Sequence, residues 1–351
     1  MLTFTNRAIT GTGSAAEFSR AFTPGAMELS FADASAKSGS KWSLKDPVSR
    51  ADDKSVISAL TTVFSGKRPV LLYIHGNNNT PSTCFDRCAV LRKMYDVEVV
   101  AFSWPSEGSL PDGSDLPGAK NGDPGNEGDL GDVSESNRTE SKIIQKARRY
   151  RQAKANAQDS VDALSRFLRL MSIARLQANA QPFSVAAHSL GGHFLQYTLD
   201  IQSAREALGA AHNIALVAPC TRAAGHKDWV GKLRPKGKVF VTYNYGDSVL
   251  FGAYIVDGSQ EKLGTTPGPD LVQNGMVRYV CFTNSPVGFG GHAYFVYDKL
   301  PKKTKKVFSR IFSSLPDIES SEYPRQVYPL GCDEDGVTCY VGAPNTPAEV
   351  G

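Results

Sequence analysis

No run of apolar residues in this chain approaches the roughly 18 needed to cross a bilayer. Its first residues, MLTFTNRAITGTGS, lack the charged start and apolar centre of a secretory leader. Both absences make the cytoplasm the expected compartment. Cysteine is scarce, six in 351 residues, which excludes a disulfide-built scaffold, and nothing has zinc-ligand spacing. Net charge is only +4, and with no stripe of interleaved basic and aromatic residues nucleic acid is not an expected partner. No internal repeat is present. What remains is an ordinary globular composition, 41% apolar and 21% charged, long enough for one large core with insertions.

Residues 69–74, PVLLYI, are a continuous apolar run suited to a buried strand. Residues 81–95, opening on Pro81, have helical spacing, and 97–102 is the next strand. Strand, helix and strand in that order make a parallel unit, so the class is α/β. The same reasoning places helices over 52–64, 141–177, 193–208 and 301–314, and strands over 26–33, 41–44, 183–187, 213–218, 238–243 and 277–282. Residues 1–25, rich in Gly, Ser, Thr and Ala, read as loose. The chain then divides into an N-terminal extension with short strands (1–50), a main domain (51–315) and a tail (316–351).

In that tail Cys332 and Cys339 flank a turn-like DEDG, and can face each other across a hairpin as a disulfide. Cys84 and Cys88, one helical turn apart, read as packed thiols, and Cys220 and Cys281 as core. Residues 107–138 turn abruptly to Gly, Asp, Pro, Ser and Asn with two basic residues. Such a stretch buries too little to fold alone, so a flexible acidic insertion or a lid over the site is expected. Its aspartates lack the ligand spacing of a calcium loop.

Between strand 183–187 and the helix behind it stands Ala187-His188-Ser189-Leu190-Gly191. This is the nucleophile-elbow pattern G-x-S-x-G with alanine at its first position. The sharp turn crowds the backbones two residues before and after the serine, which Ala187 and Gly191 can tolerate. Five residues alone would equally describe a serine that caps a helix. A serine nucleophile needs a base, an acid to hold the base, and donors for an oxyanion.

Of the six histidines, His75 and His188 sit inside tight motifs, His193 lies along the helix after the elbow, and His212 and His226 flank the strand ending at Ala218. His292, in the glycine-rich FGGHAYF after the last strand, is the expected base. Asp247, in YNYGDS after strand 238–243, is the expected acid, with Asp228 its rival. The order Ser189, Asp247, His292 is that of α/β hydrolases. The oxyanion donors expected are the N–H of Leu190 and that of Asn77 or Asn78, in the loop opened by His75-Gly76.

Several ordered motifs resemble the α/β-hydrolase superfamily, within it the bacterial esterase/lipase-like branch of unknown specificity. They are YIHGNNNT (73–80), AFSWPS (101–106), Tyr150 with Ala157 and Ser160, AAHSLGG (186–192), LVAP (216–219), DSVL (247–250), Leu263-Gly264 and GHAYF (291–295). The resemblance spans residues 69–297. It implies an α/β-hydrolase fold, a mostly parallel sheet flanked by helices, with Ser189, Asp247 and His292 as triad. It further implies hydrolysis of a small-molecule or lipid carboxylic ester through an acyl-enzyme, with no metal or organic cofactor. Departures are Ala187 for glycine, the acidic insertion, and Cys220 where that branch carries aspartate. Acyl transfer, thioester or amide hydrolysis on the same triad, or a binding protein on a retired hydrolase fold, are the alternatives.

Overall fold

A computed structural model describes residues 1–37, 41–117, 140–180, 182–297, 299–313, 330–332 and 336–341. Strands β1 (Leu2–Thr5), β2 (Arg7–Thr10), β3 (Glu17–Phe22), β4 (Ser30–Lys37) and β5 (Lys41–Val48) precede helix α1 (Asp53–Phe64). Then come β6 (Val70–Ile74), α2 (Pro81–Tyr95), β7 (Glu98–Ser103), α3 (Glu140–Asp159), α4 (Val161–Gln177) and β8 (Ser184–His188). Next are α5 (Gly191–Thr198), α6 (Gln202–Leu208), β9 (Ile214–Val217), α7 (His226–Val230), β10 (Val239–Tyr243) and α8 (Ser248–Val256). The chain continues with β11 (Val277–Cys281), α9 (Lys302–Phe312), β12 (Leu330–Cys332) and β13 (Thr338–Val341).

Eleven strands form one sheet in the order β12-β13-β11-β10-β9-β8-β6-β7-β1-β4-β5, and β2 pairs with β3 apart from it. From β1 through to β11 every neighbouring pair is parallel, and β4, β5 and β12 are antiparallel to their neighbours. The fold is α/β, as the strand–helix–strand reading required. All residues of β6, β8, β9 and β10 are buried, which is why those segments read as unbroken apolar runs: a parallel strand is covered on both faces.

Strand order reverses between β6 and β8, since β7 lies on the far side of β6. At such a switch point the loops leave in opposite directions and open a crevice at the carboxyl edge, where open α/β sheets bind ligands. The loops ending there are His75-Gly76 after β6 and Ser189 after β8. Aromatic rings fill the layer over the sheet near this point: Phe102 packs on Phe167 of α4 at 5.3 Å and on Phe194 of α5 at 5.8 Å.

Three segments differ from the sequence reading. Residues 1–25 are not loose: β1 lies between β7 and β4, with Leu2 and Phe4 in the core and Thr3 and Thr5 buried. The long helix over 141–177 breaks at Ser160, whose Oγ donates to the Asn156 carbonyl at 2.7 Å and accepts Nδ2 of Asn6 at 2.8 Å; such local side-chain bonding competes with the helix ladder.

The expected insertion is packed at its start. Glu107 and Ser109 are buried, Asn156 Nδ2 donates to the Pro105 and Ser109 carbonyls at 3.0 and 2.9 Å, and Phe22 N–H donates to the Pro111 carbonyl at 2.9 Å. The rest of it, residues 118–139, lies outside the described residues, so the lid expectation does too. In the tail, β12 and β13 bring Cys332 opposite Cys339, and the two form a disulfide. No helix among the described residues is long and apolar enough to cross a membrane.

Candidate active site

Ser189 stands between β8 and α5 with a left-handed φ of 52°, uncommon for a residue with a Cβ and costing of order 1 kcal/mol or more. Surroundings hold it there. Its N–H continues the sheet ladder to the Val217 carbonyl at 2.9 Å, while its own carbonyl accepts the N–H groups of Gly192 at 2.9 Å and Cys220 at 3.0 Å. Gly191 is required by space, because a Cβ there would lie 2.7 Å from the carbonyl oxygens of both Ile74 and His75. Ala187, at the position where the elbow pattern has glycine, is buried within β8 opposite Ile74 and Leu216.

The β6 loop presses on the serine: a Cβ on Gly76 would stand 2.9 Å from Ser189 Cβ. His75 anchors that loop. Its Nε2 accepts the Trp104 N–H at 3.1 Å, its carbonyl accepts Trp104 Nε1–H at 2.9 Å, and the two rings stack at 5.6 Å. With Nε2 accepting, the proton is on Nδ1, which donates to the Gly76 carbonyl at 3.0 Å. His75 is thus a loop brace. Of the two asparagines proposed as oxyanion donors, Asn78 has its N–H engaged by the Ser106 carbonyl at 2.8 Å. The N–H groups of Asn77 and Leu190 make no hydrogen bond among the described residues.

Asp247 is the N-cap of α8, where Oδ1 accepts the Leu250 N–H at 2.9 Å and Oδ2 meets His292 Nδ1 at 2.7 Å. Both residues are buried. Asp228, the rival acid, lies exposed on α7. The His292 loop is clamped from several sides, by Asn244 Nδ2 to the Gly291 carbonyl at 2.8 Å, Tyr294 Oη against Thr242 Oγ1 at 2.7 Å, and Tyr95 Oη to the Phe295 carbonyl at 2.5 Å. Gly291 has φ 63°, and a Cβ there would fall 2.5 Å from Asn244 Nδ2, so a side chain would be strained and would displace Asn244. Sequence reasoning missed Asn244, Thr242 and Tyr95, whose partners are distant in the chain. His188, next to the serine, brings its ring to 4.7 Å from that of His292 and 4.8 Å from that of Phe295. The residue before the serine thus lies against the ring of His292.

His193, one turn into α5, donates from Nε2 to the Cys220 carbonyl at 3.1 Å. Burial, reinforced by Lys154 and Lys262, pushes its imidazole down to about 3. An unfolded histidine titrates near 6.5, so between about pH 6.5 and about 3 the unfolded chain holds a proton that the folded chain refuses. Stability is therefore lost as pH falls through that window, by about 2 kcal/mol from pH 7 to 5 for this group alone. His193→Gln retains a donor but does not titrate. Its urea midpoint should fall less than that of the wild type between pH 7 and 5, and equal falls would show that His193 is protonated in the folded protein.

Hollows of about 480 Å³ beside Phe64 to Val70 and of about 360 Å³ beside Arg7 and Phe22 lie away from Ser189. The first adjoins the amino end of β6, the opposite edge of the sheet from the elbow. Neither hollow has a histidine in its lining. Among the described residues, no group of three or more His, Cys, Asp or Glu side chains is arranged to hold a metal ion.

The chain belongs to a family described as alpha/beta hydrolases of unknown function (DUF900), whose model matches residues 50–271. Ser189 and Asp247 fall within the matched segment and His292 lies beyond it. No match was found among curated proteins or solved structures.

Proposed function

We propose that the protein is a serine hydrolase that cleaves a carboxylic ester through an acyl-enzyme, with Ser189 as nucleophile, His292 as base and Asp247 as the acid that orients it. The observation that carries this reading is the 2.7 Å contact of Asp247 Oδ2 with His292 Nδ1 beside a serine at φ 52°. A buried carboxylate on Nδ1–H fixes the tautomer that leaves Nε2 as the lone-pair nitrogen, and it stabilises the imidazolium formed when the serine proton is taken. His292 then returns that proton to the leaving alcohol, and water attacks the acyl-serine with the same assistance. The N–H groups of Leu190 and Asn77 are the donors for the oxyanion. Asn78, its N–H bonded to Ser106, is not among them.

Incubation with a fluorophosphonate should modify Ser189 alone, located by peptide mass spectrometry. Ser189→Ala should abolish labelling and ester turnover with the circular dichroism spectrum unchanged. Undiminished labelling of that variant would put the nucleophile elsewhere. A panel of oxyester, thioester and anilide substrates on the labelled-competent enzyme then separates ester cleavage from its thioester and amide alternatives.

A further inference from the structure

Helix α8 is tied at both ends, and the two ties lead to the two halves of the candidate site. Its N-cap, Asp247, holds His292. Its C-cap is Asp257, whose Oδ2 accepts the Tyr150 hydroxyl at 3.0 Å and lies 2.5 Å from Lys262 Nζ. Lys154 Nζ stands 3.2 Å from both carboxylate oxygens. Tyr150 Oη also meets Cys220 Sγ at 3.1 Å, and the Cys220 N–H is the donor that grips the Ser189 carbonyl at 3.0 Å. Tyr150 belongs to α3, which packs on α5, the helix behind the nucleophile.

Protonation states give this chain one direction. Burial raises the Cys220 thiol, and burial with the neighbouring Cys220 and Asp257 raises the Tyr150 phenol, so both keep their protons. Burial by itself would raise the Asp257 carboxyl, but Lys262, Lys154 and the Tyr150 hydroxyl together bring it below its ordinary value. The thiol donates to the phenol oxygen and the phenol donates to the carboxylate. Cys220, Tyr150 and Lys262 are buried almost completely, a setting in which a satisfied polar chain fixes geometry and a broken one leaves costly orphans.

We propose that Tyr150, Asp257 and Lys262 are positioning residues that, through Cys220, set the distance between the serine elbow and the helix bearing the acid. The proposal rests on the serine-hydrolase reading. This hydrogen-bonded series acts on the site rather than on substrate. Its effect is on the relative placement of Ser189 and His292, which reaches the chemical step because misplacement by about 1 Å can cost about 10²-fold in rate.

The test is Tyr150→Phe, which keeps the ring and removes the bridging hydroxyl, compared with wild type and with Arg169→Met, which breaks a surface pair with Asp53. Fluorophosphonate labelling rate and kcat and KM for a soluble aryl ester are measured at a temperature where all three are folded, and the melting temperature is taken from a separate thermal scan. Tyr150→Phe should slow both labelling and kcat about 10- to 100-fold with KM within about twofold, and Arg169→Met should keep wild-type rates. Wild-type labelling and kcat in Tyr150→Phe, with only the melting temperature lowered, would overturn the positioning role. If wild type is not labelled at Ser189, the hydrolase reading falls and this inference with it. Should Tyr150→Phe not fold, Cys220→Ala removes the other end of the bridge and leaves Tyr150 on Asp257. The same loss of labelling rate then supports the role, and a wild-type rate overturns it.

Discussion

Asp247→Asn should lower kcat for ester hydrolysis by about three to four orders of magnitude, while Asp228→Asn stays within about tenfold, about 1.4 kcal/mol. The two oxygens of Asp247 have separate tasks. Oδ1 caps α8 through the Leu250 N–H, and Oδ2 accepts from His292. Asparagine is as good an N-cap as aspartate, so the oxygen of the amide can keep the helix start and the fold should survive. Its NH₂ would then face His292 Nδ1, which must become the acceptor, and the proton moves to Nε2, the nitrogen that has to take one from Ser189. Asp228 is exposed on α7 and touches none of these groups. Both purified variants are assayed, with circular dichroism to check folding. If the larger loss falls on Asp228→Asn, the acid comes from the segment after β9 and the Asp247 pairing is not catalytic.

Glu107→Ala should destabilise the protein by about 3–5 kcal/mol. Arg7 and Glu107 form an ion pair at 2.7 Å with side-chain exposures of 0% and 3%. The guanidinium also donates to the carbonyls of Trp104 at 2.5 Å and Ser19 at 3.2 Å. Truncating one partner leaves the other charge in a medium that cannot solvate it, which is far more costly than the pair's net worth. Arg7→Met should therefore lose a similar amount, and the double variant much less than the sum of the two. Urea unfolding measures all three. A loss below about 1 kcal/mol in either single variant would mean that water reaches the pair, as at an exposed salt bridge. Because Trp104 braces His75, the residual activity of folded Glu107→Ala reports whether the disturbance travels to the oxyanion loop.

What was legible in the sequence follows from the range of the interactions involved. Buried parallel strands such as β6 and β8 announce themselves as apolar runs, and α1 and α2 carry their caps, Asp52 and Thr80, in the sequence beside them. β1 did not: Leu2–Thr5 alternates threonine with apolar residues, and its burial depends on β7, about a hundred residues away. Ser189, Asp247 and His292 could be singled out as candidates because each sits in a local turn with small residues and in a recognisable order. The choice between Asn77 and Asn78 was not available, since it turns on a bond to Ser106. The Tyr150–Asp257 contact joins residues 107 positions apart, and neither segment carries any local sign of the other.

An eleven-stranded sheet has two outer strands, each a row of unpaired backbone groups on which another chain can add itself. One outer strand, β12, spans three of the described residues and is stapled to its neighbour by the Cys332–Cys339 bridge. The other, β5, carries Lys45 and Pro47, and is bent at Asp46 by a left-handed φ of 47°. Length on one side, and charge, curvature and a missing N–H on the other, deny a second chain a straight template. Both outer strands among the described residues thus carry features that disfavour edge-to-edge addition of a second chain.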